Sequence, residues 1–226
     1  LERNPASDIH KVLKATPTRH YPAIVDMEGF SELLRLIDNG LASSLPVRCG
    51  LQLLALTFVR PGELRKATWE EINFETATWT IPAHRMKMRK EHTIPLSRQS
   101  MDILNEIYPF SGPQGFVFPA ARGRNRPMSE NTLGAALVRI GVDKSQHLPH
   151  SFRSSASSML HEMGYDSRLI ELQLSHSDKN SVRAAYDRSQ RIEERARLMQ
   201  EWANFCDELK AGGSEKIVPI NRRESS

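Results

Sequence analysis

The sequence predicts an α+β domain, mainly α-helical, with one small antiparallel β-sheet. Three observations predict it. Apolar residues recur at helical spacing in successive blocks along the 226 residues. The period drops to two only near residues 76–96, in two short β-branched and aromatic runs. Proline and glycine punctuate the chain where those blocks must end.

Residues 1–22 read as a connector, broken by Asn4-Pro5, Thr16-Pro17 and Tyr21-Pro22, with Lys11, Lys14, Arg19 and His20 between them. The chain opens at Leu1 without a Met, so an excised fragment or processed product is expected, with more protein upstream. The folded domain is expected over 23–211. Leu33, Leu34, Leu36 and Ile37 mark a first helix stopped by Asn39-Gly40. Val47 through Phe58 is apolar nearly all round, which is expected of a helix at the centre of a core. Pro61 pushes the preceding residue out of the α region, so Arg60 sits at a break before a new helix at Gly62-Glu63-Leu64. Residues 76–81 and 92–96 form a two-stranded hairpin around a basic tip, His84 to Lys90. Helices follow at 97–108, 129–140, 150–163, 166–174, a short piece ending near Tyr186, and 190–210. Residues 111–128 make a basic loop, and 212–226 a polar, disordered tail.

Hydrophobic residues at 39% and charged residues at 26% allow a globular core and exclude wholesale disorder. The net charge of +4 is compatible with a polyanionic partner. Cys49 and Cys206, far apart in apolar surroundings, form neither a disulfide framework nor a zinc site, and a reducing cytoplasm is the simpler setting. No apolar run has the length to span a bilayer, so no membrane partner is expected.

His150 and Arg153 lie three apart at the start of a helix, so both side chains face one small target. By itself the pair reads first as a capping histidine and a surface arginine. Alone, His176 reads first as a cap or a buried, satisfied histidine, and Tyr186 as a packed aromatic with its hydroxyl at the surface. His147 and His150 have Pro149 between them and no nearby Cys or carboxylate, so no metal is expected.

Order and spacing add weight. Arg60 with Glu63 follows a buried helix. Lys87 lies on the hairpin, eight residues before Pro95. His150-Ser151-Phe152-Arg153, Leu174-Ser175-His176 and Ala185-Tyr186 come next. This ordered set resembles the tyrosine recombinases, the phage-integrase family, and within it the prophage integrases. The resemblance covers residues 23–210. It departs at Ser175, where the family usually has glycine. It implies the DNA breaking–rejoining fold, a connector at 1–22 from a core-binding domain, and site-specific cleavage and rejoining of DNA through a 3′-phosphotyrosyl intermediate, in the integration or excision of a mobile element.

The implied roles follow the chemistry. Tyr186 attacks the phosphodiester. His150 is the candidate base and His176 a hydrogen-bond donor to the phosphate. Arg60 and Arg153 hold the non-bridging oxygens, oriented by Glu63. Lys87 is the general acid for the leaving 5′ oxygen, with Lys90 its rival. No cofactor is called for. The implied partners are double-stranded DNA and other protomers on that DNA, in the nucleoid of a bacterial cytoplasm. Arg85, Arg89, Lys90, Arg122, Arg124 and Arg126 are expected at phosphates. Ile192, Met199, Trp202, Cys206 and Leu209 form a stripe that packs either on its own domain or on a neighbour. Two alternatives stay open: a type IB topoisomerase, and a DNA-binding module with a silent catalytic set.

Overall fold

The computed structural model describes residues 21–39, 44–176 and 191–212. The predicted connector up to residue 20, the segment holding Tyr186 and the tail after 212 lie outside the described residues. The helices are α1 (Met27–Asn39), α2 (Leu45–Thr57), α3 (Pro61–Leu64), α4 (Arg98–Ser111), α5 (Thr132–Arg139), α6 (Ser151–Glu162), α7 (Ser167–Gln173) and α8 (Ile192–Lys210). The strands are β1 (Ile72–Asn73), β2 (Thr78–Ile81) and β3 (His92–Pro95). Among the described residues no helix is long and apolar enough to cross a membrane.

Helix α2 occupies the centre because its sequence is apolar nearly all round, with Arg48 and Gln52 on its one partly exposed edge. Cys49, Leu51, Leu53, Leu54, Ala55 and Leu56 are all buried. Helices α1, α4, α5, α6 and α8 pack around it. A helix so enclosed must still satisfy its last carbonyls. Trp202 on α8 donates its indole N–H to Ala55 O at 3.0 Å, and Gln173 at the end of α7 donates to Thr57 O at 3.4 Å. Phe58 ends α2 in the left-handed region at φ 40°, and its carbonyl accepts from Arg153 Nη1 at 2.9 Å. The end of the central helix is thus capped by side chains from three other helices.

The stripe on α8 packs on its own domain. Met199, Trp202, Cys206 and Leu209 are buried, and Trp202 meets Phe30 and Phe58 with ring centroids 5.8 and 6.0 Å apart. Helix α1 also caps the C-terminus of α8: Ser31 Oγ donates to Leu209 O at 2.7 Å, and Arg35 Nε to Lys210 O at 2.9 Å.

The sheet has three strands in order β1-β2-β3, all antiparallel, where the sequence predicts two. Ile72 pairs with Trp79 and Asn73 with Thr78. A two-residue strand has no period to read. It is held by a local turn, in which Asn73 Oδ1 accepts from the N–H groups of Glu75 and Thr76 at 3.0 and 2.9 Å. Helix α4 runs past Pro109 to Ser111, three residues beyond the predicted end.

Residues 21–25 run extended across the start of α6. Ser151 Oγ donates to Pro22 O at 2.6 Å, and Ser155 Oγ, one turn later, donates to Ile24 O. Ile24 N–H donates to His147 Nδ1 at 3.3 Å. The strap ends with Tyr21 beside His150, ring centroids 5.7 Å apart.

Candidate active site

Arg60 stands at the break between α2 and α3. Its backbone N–H donates to Glu63 Oε2 at 2.9 Å and its Nη1 to Glu63 Oε1 at 2.8 Å. Glu63 is buried, so one carboxylate both closes the first turn of α3 and aims the guanidinium. Arg60 Nη2 reaches Ser175 O at 3.4 Å.

Arg153 rises from the first turn of α6 and is only 6% exposed. Its Nη1 holds Phe58 O, and its Nη2 donates to Leu174 O at 2.6 Å and to His176 Nε2 at 3.2 Å. Burial, then the Arg60 guanidinium, pushes its pKa down to about 10; Glu63 and Glu171 oppose the shift. It is still a cation at neutral pH. The two guanidinium groups therefore meet at one place, the carbonyls of Leu174 and Ser175 at the end of α7.

That end is a Schellman turn. Ser175 sits at φ 51°. His176 N–H donates to Glu171 O at 3.0 Å and Ser175 N–H to Leu172 O at 3.1 Å. The residue in this left-handed position is most often glycine because a Cβ is disfavoured there. Here the serine accepts the strain.

His150 caps α6 and is exposed. Partial desolvation, then Arg153 and Arg60, hold its pKa below the ordinary histidine value, with Glu63 opposing. Its ring is neutral at pH 7, the form a proton acceptor needs.

Behind these groups lies a buried polar layer. Gln173 Oε1 accepts from Arg195 Nη2 at 2.7 Å, and Gln173 O meets His92 Nε2 at 3.2 Å. Desolvation, then Arg195, pushes His92 down to about 3. Desolvation alone pushes His147 down to about 4.

The hairpin tip is tied to the same place. Arg85 Nη2 donates to Glu63 O at 2.7 Å, and its Nη1 pairs with Glu71. Glu71 also accepts the indole N–H of Trp79 at 3.0 Å. Arg85, with its side chain 14% exposed, is thus engaged inside the fold. Lys87, two residues on, is exposed, as are Arg89 and Lys90, and none of the three has an ion pair among the described residues. Arg122, Arg124 and Arg126 are exposed on the turn before α5, with the Arg124 guanidinium 5.1 Å above the Phe110 ring.

Arg60, Glu63, His150, Arg153 and His176 are therefore brought together, and Tyr186 lies outside the described residues. No sequence pattern points to Glu171, whose Oε2 lies 2.7 Å from His176 Nδ1. Five residues apart, the two do not share a helix face, and only the left-handed turn at Ser175 joins them. Gln173 and His92 are equally silent in the sequence, since they carry no motif.

A family model described as the phage integrase family matches residues 27–193. The integrase of Enterobacteria phage P4 is 40% identical over 222 residues, covering 92% of this chain and 50% of that protein. The prophage integrase IntA of Escherichia coli strain K12 is 38% identical over 218 residues, covering 96% and 51%. The chain spans about half the length of the curated relatives it matches. Among solved structures, the integrase from mycobacterium phage Brujita has a TM-score of 0.58 at 18% identity, covering 96% of this chain and 65% of that one. A lambda integrase dimer bound to a COC′ core site has a TM-score of 0.56 at 15% identity, covering 74% and 62%. At those identities the structures share the fold, and the family match spans most of the same residues: the chain belongs to the phage integrase family.

Proposed function

We propose that this chain carries the catalytic part of a site-specific DNA recombinase, over residues 23–211, which cleaves and rejoins DNA through a 3′-phosphotyrosyl intermediate. The observation that carries the reading is the meeting of Arg60 and Arg153 at two consecutive carbonyls, Ser175 O and Leu174 O, with His176 next in the chain. Two fixed guanidinium groups suit one phosphodiester, whose non-bridging oxygens gain charge during in-line attack. The lambda integrase structure, a dimer on a DNA core site, supports double-stranded DNA and further protomers as partners.

Tyr186 is the nucleophile. At a pKa near 10 only about one phenol in a thousand is ionised at pH 7, so an acceptor is needed. The neutral His150 fits that task. The new bond joins the Tyr186 phenolic oxygen to phosphorus. The bond to the 5′ oxygen breaks, and that oxygen takes its proton from Lys87. Arg85, tied to Glu63, keeps the start of the hairpin tip next to Arg60. The phosphotyrosyl ester retains the energy of the broken bond, so attack by a 5′ hydroxyl restores the DNA. Such a protein works on the chromosome, within the bacterial nucleoid.

The test is a pool of nicked duplexes of randomised sequence, in which cleavage releases a short strand and traps the protein. Wild-type protein should give an adduct that survives SDS, enriched in one sequence, and Tyr186→Phe should give none. Equal yields from the two proteins, or no adduct from either, would end the proposal. Relaxation of plasmid supercoils without sequence preference would point instead to a topoisomerase.

A further inference from the structure

We propose that Glu171 is a positioning residue that fixes the tautomer of His176 and, through that ring, the place of the Arg153 guanidinium; this deepens, and rests on, the recombinase reading. Both ends of one ring point the same way. A carboxylate only accepts and a guanidinium only donates. Glu171 Oε2 lies 2.7 Å from Nδ1, so Nδ1 carries the hydrogen. Arg153 Nη2 lies 3.2 Å from Nε2, so Nε2 presents its lone pair. The neutral Nδ1–H form is the tautomer that satisfies both contacts.

That form does not donate to a phosphate through Nε2; it accepts there from Arg153. The carboxylate, acting through the ring, therefore holds the Arg153 guanidinium beside Arg60, at the carbonyls of Leu174 and Ser175.

The backbone makes the pairing reliable. In a Schellman turn the residue three before the helix cap and the second residue after it are brought together, usually in an apolar contact. Here those positions are Glu171 and His176, joined also by His176 N–H to Glu171 O at 3.0 Å. The turn that delivers the histidine delivers its carboxylate.

Two measurements on Glu171→Gln test this. Both side chains are about half exposed, so the amide should fold, and an unchanged Tm checks it. Ring-nitrogen NMR should show His176 as Nδ1–H in the wild-type chain and as a mixture of tautomers in the variant. Covalent adduct formation should fall ~10-fold in Glu171→Gln and recover in part in Glu171→Asp, which keeps a carboxylate acceptor for Nδ1–H. No loss of adduct formation, equal losses in the two variants, or an unchanged tautomer overturns the proposal. Absence of adduct from wild-type protein instead removes the recombinase reading and the catalytic role with it, while the NMR result still shows whether Glu171 sets the ring.

Discussion

The basic groups of this domain fall into two regions that treat charge in opposite ways. In the first, Arg60 and Arg153 are held by Glu63 and by the carbonyls of Phe58, Leu174 and Ser175. In the second, Lys87, Arg89, Lys90, Arg122, Arg124 and Arg126 are exposed on the hairpin tip and the turn before α5. A guanidinium fixed by backbone acceptors costs no reorganisation when negative charge develops beside it. An exposed lysine or arginine keeps its hydration and acts through screened attraction. Under the proposed function the first region serves chemistry at one phosphorus and the second contact with many phosphates.

The largest expected break of that contrast is at Arg153. Arg153→Ala should lower single-turnover adduct formation by at least ~10²–10³-fold. Arg153→Lys should not restore it, because an ammonium cannot hold two carbonyls and a phosphate oxygen in one plane. Rates within a few-fold of wild type for the lysine variant would place Arg153 with the exposed group.

A second test concerns the histidines buried around the first region. Folded, His92 and His147 stay neutral down to about 3 and 4; unfolded, each protonates near 6.5. The unfolded chain therefore binds more protons below that value. Stability should be intact at pH 7 and fall by up to ~1.4 kcal/mol per pH unit for each histidine as the pH drops from about 6.5 toward 4. Urea denaturation at pH 7, 6 and 5 measures the slope. His147→Gln should remove about half of the fall due to the pair, and an unchanged slope would mean that the ring is hydrated when charged.

The exposed region should respond to salt rather than to pH. Changing Arg122, Arg124 and Arg126 to Gln should flatten the dependence of log Kd on log salt by about 0.9 for each phosphate that these arginines neutralise. Trapping at low salt should stay close to wild type. Arg85→Gln sharpens the comparison, since Arg85 sits in the basic run yet bonds Glu71 and Glu63 O. It should lower Tm and leave the salt slope unchanged.

The smallest effect is expected at Ser175. Releasing a non-glycine residue from the left-handed region gains roughly 1–2 kcal/mol, and glycine's extra freedom when unfolded offsets roughly 0.5–1 of it. Ser175→Gly should therefore raise stability by up to ~1 kcal/mol, read by urea denaturation, with trapping unchanged. A loss of stability would show that the serine side chain supports the turn.

Much of this site is legible along the chain because its parts are local. The Arg60–Glu63 pair follows from a proline one residue after the arginine, and His150 and Arg153 from helical spacing. The serine at 175 is visible as a departure, though only its φ of 51° shows what it costs. Arg85 and Arg89 look alike in the sequence. One is engaged inside the fold and the other is exposed because Glu71 and Glu63 O lie within reach of only one of them.

By itself the sequence determined the succession of helices, the place of the sheet and which residues are candidates to serve a phosphodiester, since period, proline breaks and donor chemistry are properties of neighbours in the chain. Only the tertiary structure decided which of those residues meet. Arg153 reaches Phe58 O across 95 positions and Arg60 reaches Ser175 O across 115. The first pairing comes from the burial of α2, which leaves its last carbonyls no partner but side chains arriving from elsewhere, and the second from the turn that ends α7, whose carbonyl meets the α2–α3 break. The third strand and the Glu171–His176 pair arose in the same way, from backbone turns whose consequence for side chains no spacing rule records.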